Sequence, residues 1–195
     1  MSAPDTTGAA GSSNSIAVAL VHSPVLNRLG ETSTTAITSM DVHDFSRTCA
    51  FYDAAPVYLV HPAEGMHAMV KDICGYWEQG AGGERNPGRR EVLSQVRMLH
   101  SLEEVFEDAV YRLWYTSASP PQDLSEAGDL LDAGDLCAQP GPNLIVFGTG
   151  SGLDVAGLPP ANGWLRPIDG AGKVRHLSVR AALAIYMDRC RRPDR

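Results

Sequence analysis

Long apolar runs are missing from this sequence. None approaches the roughly 18 residues that a membrane-spanning helix needs, and the N-terminus lacks the basic segment and apolar stretch of a secretory signal. Cysteine is sparse: the four residues Cys49, Cys74, Cys137 and Cys190 are far apart and form no CxxC pair. That argues against a disulfide framework and against a zinc site. A reduced, cytoplasmic chain with buried thiols, no metal and no membrane partner is the expectation. Also absent are G-x-x-x-x-G-K-[ST], G-x-S-x-G and H-E-x-x-H, which speaks against a P-loop NTPase, a nucleophile elbow and a zincin-type metal site. Basic charge is in deficit, since 16 Lys+Arg against 23 Asp+Glu leave a net charge of −7. A generic polyanion binder would carry the opposite balance.

That charge is unevenly placed. Ser101–Cys137 holds nine acids and one arginine, whereas Gly163–Arg195 holds eight basic residues and three acids. A local basic face can coexist with an acidic whole, and phosphate binding depends on the local face. The plainer reading of such charges is that they solvate helix surfaces.

The stretch Asn143–Arg189 organises the chain. Leu144–Phe147 is a short apolar run with β-branched residues, the pattern of a buried strand. It ends in Gly148-Thr149-Gly150-Ser151-Gly152, where the absence of Cβ atoms lets backbone amides approach a bound molecule. A second expected strand, Trp164–Ile168, runs into another glycine turn, Asp169-Gly170-Ala171-Gly172. Leu177–Met187 then carries apolar residues at helical spacing, with Ser178 able to cap its start. Two glycine loops and a helix start, all at strand ends, make a cradle for a small ligand.

In chain order, residues 1–15 are rich in Ser, Thr, Gly and Ala and read as a disordered leader. Residues 16–192 read as one domain, long enough for a core. Ile16–Val21 is an inner strand stopped by His22-Ser23-Pro24. Val25–Glu31 reads as a loop and Thr32–Thr38 as a strand or extended connection. Asp41 can cap a helix through about Tyr52. Pro56–Val60 is a strand, and Ala63–Trp77 a helix whose Met and aromatic stripe is core. Gln79–Arg90 reads as a Gly/Pro loop whose Arg85, Arg89 and Arg90 can reach phosphates or simply face water. Val92–Leu99 follows as a strand, Leu102–Leu113 as an acidic helix, Leu113–Ser117 as a strand and Leu124–Leu136 as a helix interrupted at Gly128 or Gly134. Strands alternating with helices indicate an α/β fold with a mainly parallel sheet and helices on both faces.

Four further side chains are candidates. His176 precedes the last helix, where a lone histidine more often packs or caps than reacts. Arg180, one turn inside that helix, contacts a ligand or pairs with an acid. His22 and His43 have the chance to converge at the edge of the first strand. A dinucleotide site fits poorly, because G-x-G-x-G replaces G-x-G-x-x-G and follows a late strand rather than the first. NAD titration would expose a Rossmann-type protein.

Asp41–Ala50, DVHDFSRTCA, resembles the first motif of the SPOUT RNA methyltransferases, an Asn- or Asp-led helix carrying an internal arginine. LIVFGTGSGL resembles their second motif and RPIDGAGKVRHLSVRAALAI their third. Three motifs in order over Asp41–Asp188 are far more specific than one glycine loop, and the match covers nearly everything after the leader. IAVALVHSPVLNRLGE, MDVHDFSRT and the HLSVR helix start look closest to the small stand-alone subgroup without an added RNA-binding domain. This chain departs from the common pattern in opening its first motif with Asp41 rather than Asn.

The resemblance implies a C-terminal trefoil knot, an exception to unknotted topology, and a homodimer whose pockets are completed by the partner chain. It implies S-adenosyl-L-methionine (SAM) held by Thr116, Ser117 and Ala118; by Phe147, Gly148, Thr149, Gly150, Gly152 and Leu153; and by Pro167, Ile168, Gly170, His176, Leu177 and Ser178. The reaction implied is methyl transfer to a ribose 2′-hydroxyl or base nitrogen of a structured RNA, tRNA or rRNA. Arg47 matches the motif-one arginine that positions the acceptor, and Asp169 is a candidate base for a ring nitrogen. Arg85, Arg89, Arg90 and Arg180 are the expected RNA contacts. A SAM- or RNA-binding module without turnover is the alternative.

Overall fold

Ile16–Val21 is buried on both sides along its whole length, which is why six consecutive apolar residues, not an alternating pattern, form strand β1. The computed structural model describes residues 15–120 and 128–191. The expected leader up to residue 14, and the start of the expected helix over Leu124–Leu136, lie outside the described residues. Val25–Leu26 (β2) and Thr32–Ser33 (β3) form a small antiparallel hairpin instead of a plain loop. The principal strands follow as β4 (Val57–Val60), β5 (Val96–Leu99), β6 (Arg112–Tyr115), β7 (Asp129–Leu131), β8 (Asn143–Gly148) and β9 (Gly163–Leu165). With β1 they make one seven-stranded sheet in the order β5-β4-β1-β8-β6-β9-β7. Every pairing in it is parallel, as alternating strands and helices predict.

The helices are α1 (a π-helical opening Asp41–Phe45 running directly into Ser46–Phe51), α2 (Glu64–Glu78), α3 (Ala81–Arg85), α4 (Pro87–Leu93), α5 (Val105–Asp108, preceded by the 3-10 turn Leu102–Glu104), α6 (Ala133–Leu136) and α7 (Val179–Arg191). They divide unequally between the two faces. Ile16, Val18 and Leu20 of β1, with Ile145 and Phe147 of β8, face a core built from α1, α2, α4, α6 and α7. Ala17, Ala19 and Val21, with Leu144 and Val146, face the Leu102–Val105 segment and Leu153 instead. The second face is therefore roofed by one short helix and a loop, and its small alanines suit that thin cover.

Several expected boundaries move. Asp41 does not cap α1 from outside. Thr38 does: the Asp41 amide donates to Thr38 Oγ1 at 3.3 Å, while Thr38 N and Oγ1 donate back to Asp41 Oδ2 at 2.9 and 2.7 Å. This is a capping box with Asp in the reciprocal position. The Gln79–Arg90 loop is two helices, because Asn86 Oδ1 accepts from the Arg89 amide at 3.1 Å and Pro87 takes the first turn of α4. Val92 and Leu93 belong to α4 rather than to a strand. The acidic Leu102–Leu113 segment is helical only to Asp108 before β6 begins at Arg112. Asp129–Leu131 is a strand, not the middle of a helix, and Gly134 lies inside α6 without interrupting it. Cys137 and Cys190, far apart in sequence, meet as free thiols with sulfurs 3.0 Å apart where α6 packs on α7.

Candidate functional site

β8, β6 and β9 are consecutive in the sheet and run the same way, so the turns leaving their C-terminal ends start side by side. Tyr115 of β6 is level with Val146 of β8 and with Trp164 of β9, and neighbouring strands are about 4.8 Å apart. The segments Thr116–Ala118, Gly148–Leu153 and Arg166–Gly170 thus open on one edge, the edge where ligands bind in open parallel sheets. The three turns implied for the cofactor thus start from one edge of the sheet.

Their chemistry differs from turn to turn. Thr116 is buried, and its amide and hydroxyl both donate to Val146 O, at 3.1 and 3.0 Å. Ser117 Oγ accepts from the Ser119 amide at 3.0 Å, and Ala118 is exposed. Phe147 points into the core, edge-on to Phe45 at 5.8 Å and to Tyr186 at 5.9 Å, so only its backbone faces the edge. In the glycine loop, Gly150 has φ +61° and a Cβ there would lie 2.9 Å from Leu26 O; Gly152 has φ +118° and opens on empty space. The amides of Thr149, Ser151 and Gly152 are spent within the protein, on Val21 O, Leu26 O and Thr149 O. The loop is therefore pinned to the β2 segment, with three of its amides already paired inside the protein. Leu153 is buried against Val25. Ile168 packs on the core, whereas Asp169, Gly170, His176 and Leu177 are exposed. Ser178 Oγ accepts from the Ala181 amide at 3.4 Å, the cap expected of it.

A partly buried polar chain joins the motifs behind this edge. Arg180 Nη1 donates to Asp41 Oδ1 at 3.3 Å, and His22 Nε2 lies 4.0 Å from Asp41 Oδ2. His22 Nδ1 meets Thr35 Oγ1 at 3.0 Å, and Thr35 is hydrogen-bonded to Thr149 of the glycine loop. Burial pushes the His22 imidazole down to about 4, against the pull of Asp41 and with a push from His61. His22 is neutral at pH 7, and its Nε2 has no hydrogen-bond partner among the described residues. Arg180, expected at RNA, is held inward by Asp41. His22 does not converge with His43: it lies 6.5 Å from the His61 ring, whereas His43 stands edge-on to Trp77 at 6.0 Å.

Arg47 is exposed on α1 and shares a cavity of about 130 Å³ with His43, Asn86 and Arg89. Arg89 lies over the Trp77 indole at 4.7 Å. Arg85 is exposed, and Arg90 lies along Gly83 instead of at that cavity. Arg47 and Asp169 share no contact. The sequence reading missed His61, Thr35 and Asn86; only Asn86, ahead of a proline and a helical stretch, carried a local signal as a cap.

Known proteins bear on this arrangement. A family described as SAM-dependent RNA methyltransferase matches residues 15–192. The chain belongs to that family. It is 32% identical over 172 residues to a tRNA (guanine-N(1)-)-methyltransferase of Nitratidesulfovibrio vulgaris, covering 88% of this chain and 40% of that relative. It thus spans less than half the length of that relative. An uncharacterized protein of Aquifex aeolicus is 33% identical over 178 residues, with 88% of this chain and 86% of the relative covered. Among solved structures, the SpoU methyltransferase AviRb of Streptomyces viridochromogenes, in complex with AdoMet, superposes with a TM-score of 0.54 at 14% identity, over 97% of this chain and 62% of that one. The fold is therefore that of the SPOUT class, and the SAM-dependent RNA methyltransferase family is the setting in which the cradle and the Arg47 cavity are to be understood. No helix among the described residues is long and apolar enough to cross a membrane.

Proposed function

We propose that this family member transfers a methyl group from SAM to a ribose 2′-hydroxyl or base nitrogen of a structured RNA, tRNA or rRNA, in the cytoplasm. The observation that carries the reading is that three turns leave one edge of the sheet at the ends of β8, β6 and β9, and that the glycine turn is linked through Thr35, His22 and Asp41 to the start of the helix that bears Arg47. The residues fit the methyl donor. The open space at Gly152 suits a bent adenosine, and the backbone of the exposed Ala118 and Asp169 can read its polar edges. When bound, SAM supplies a methyl already attached to its leaving group.

The chain's own work is then alignment and proton removal. Arg47 is exposed, and a guanidinium is a phosphate-binding fork rather than a base, so it orients the acceptor through its phosphate. Asp169 is exposed on the third turn and can take a ring-nitrogen proton. The Arg180–Asp41–His22–Thr35–Thr149 chain fixes the start of α1 relative to the glycine loop, keeping donor and acceptor walls in register. The trefoil threading belongs to the same reading: β6 lies between β8 and β9, so the chain leaving β8 crosses β6 to enter β9.

A homodimer completes it. α1 and α7 lie side by side in the same direction, tied at their starts by Asp41–Arg180 and at their ends by Arg191, which donates to Tyr52 O at 3.0 Å and Asp53 O at 2.8 Å. Phe51 at the end of α1 is 80% exposed and Met40 at its start 51%. Apolar side chains this open at both ends of a helix paired with α7 suit a second copy of the chain.

Calorimetry with SAM and with S-adenosylhomocysteine tests the cofactor reading; a folded protein that binds neither rejects it. Transfer of tritiated methyl to unmodified tRNA and rRNA separates the enzyme from a binding module. Cofactor binding without labelling of either RNA would favour the module.

A further inference from the structure

The cavity beside Arg47 does not stand alone. Its floor is Val92 and Leu93 of α4, its rim carries Arg47, Arg89, Asn86 and His43, and no carboxylate lines it. Arg89 is not a swinging surface side chain, because the Trp77 indole lies under its guanidinium at 4.7 Å and the stacking holds it in place before any ligand arrives. Arg47 follows His43 by four residues, so both project from one face of α1. His43 reports the field between them: its imidazole is pushed below the ordinary 6.5 by burial first and then by the charges of Arg89 and Arg47, with Asp44 opposing. Its Nδ1 is shielded from water and has no hydrogen-bond partner among the described residues.

A second recess of about 410 Å³ shares the His43 wall and is lined by Ile73, Tyr76, Trp77 and Asp72. Its lining is mainly apolar and aromatic, and Tyr76 is 52% exposed. A two-cation pocket of phosphate size thus adjoins a shelf of a kind on which bases stack. Asp72 stands at the shelf and repels a phosphate there, which gives a bound nucleotide one polarity: phosphate towards α4, base towards α2.

Resting on the RNA-methylation reading, we propose that this double recess is a nucleotide subsite for an unpaired residue of the RNA, with its phosphate held between Arg47 and Arg89 and its base on the Tyr76–Ile73 shelf. An unpaired residue is required because a base within a duplex has no free face for an aromatic side chain. The subsite selects RNA strands with a looped-out nucleotide near the methyl acceptor. Recognition by stacking is tolerant of base identity, so it contributes affinity and placement rather than sequence choice.

The test uses the full chain saturated with S-adenosylhomocysteine, so that the cofactor cradle is closed to other ligands. Cytidine 3′-monophosphate, cytidine and inorganic phosphate are titrated while the His43 imidazole resonance is followed. The nucleotide is expected to bind at least tenfold tighter than either fragment and to raise the His43 titration midpoint. Arg89→Ala should weaken the nucleotide at least tenfold, whereas Tyr76→Ala should weaken the nucleotide and leave phosphate unchanged. Inorganic phosphate binding as tightly as the nucleotide overturns the proposal in favour of a plain anion site, and so does an Arg89→Ala protein of unaltered affinity. Calorimetry with SAM on the Arg89→Ala protein keeps the two readings apart. Methyl transfer with normal KM for RNA despite the substitution sinks the subsite alone, whereas a wild-type chain that binds the nucleotide but no SAM sinks the methyltransferase reading alone.

Discussion

Asp41 accepts from three groups at once, the amide and hydroxyl of Thr38 and the guanidinium of Arg180, and it does so while 5% exposed. Removing a buried carboxylate leaves each of those donors short, which costs more than the pair's net value. Asp41→Ala should therefore destabilise the fold by about 2 kcal/mol, read as a lower urea midpoint. His22 beside it sets a pH dependence. Its folded value of about 4 lies below the unfolded 6.5, so the stability it permits is complete above pH 6.5 and is lost as pH falls towards 4. The unfolded chain binds the proton first in that window, giving a slope on the order of 1 kcal/mol per pH unit. Denaturation midpoints between pH 7 and pH 4 check this, and His22→Gln should flatten the slope. At the cavity, Arg47→Ala should leave SAM affinity unchanged and reduce methyl transfer by two orders of magnitude or more, a loss typical of a misplaced acceptor; equal activity would remove the role assigned to it. The helix that carries Arg47 was legible from its sequence. The partner of Asp41 was not, because Arg180 is 139 residues away in sequence and no local pattern connects the two.

Short elements carry much of this molecule, and their ends decide them. Asn86 ends α3 and caps α4, so Asn86→Ala should cost about 1 kcal/mol and speed amide exchange at Arg89 and Arg90. The same residue explains why Gln79–Arg90 misleads as sequence: glycine and proline density reads as a loop, yet proline at a first helical turn, as Pro87 is, promotes a helix that it would break further in. Strands β1, β4 and β8 were legible because strands buried on both faces must be apolar without interruption. β7 was not: it is an edge strand of three residues, Asp129–Leu131, whose leucines fit a helical period equally well. Gly163 at the start of β9 shows how tightly this region is packed, since a Cβ there would meet Asp129 O at 2.4 Å and the Trp114 ring at 2.8 Å. Gly163→Ala should destabilise more than any cap substitution, through overpacking at a backbone that cannot withdraw.

At the scale of the whole molecule, the two paired helices and the exposed Phe51 predict association. Phe51→Glu should convert a dimer to a monomer in sedimentation while leaving the denaturation profile of the subunit largely intact, because the side chain is 80% exposed in the single chain. Cofactor binding should raise stability by about 2.7 kcal/mol at a hundredfold excess over Kd, an increment that the wild type and Arg47→Ala share. The fold class was legible in the alternation of strands and helices, and the joining of distant segments was not. β1 lies between β4 and β8, with Ile16 level with Asn143, so the first strand made waits for one of the last. While the polypeptide is still being synthesised, the exposed edge of β1 has no mate on that side, and the central seam closes only after β8 has cleared the ribosome. Such a pairing makes folding slow for a chain of this size and leaves an apolar strand edge available to chaperones, or to aggregation, for as long as translation lasts.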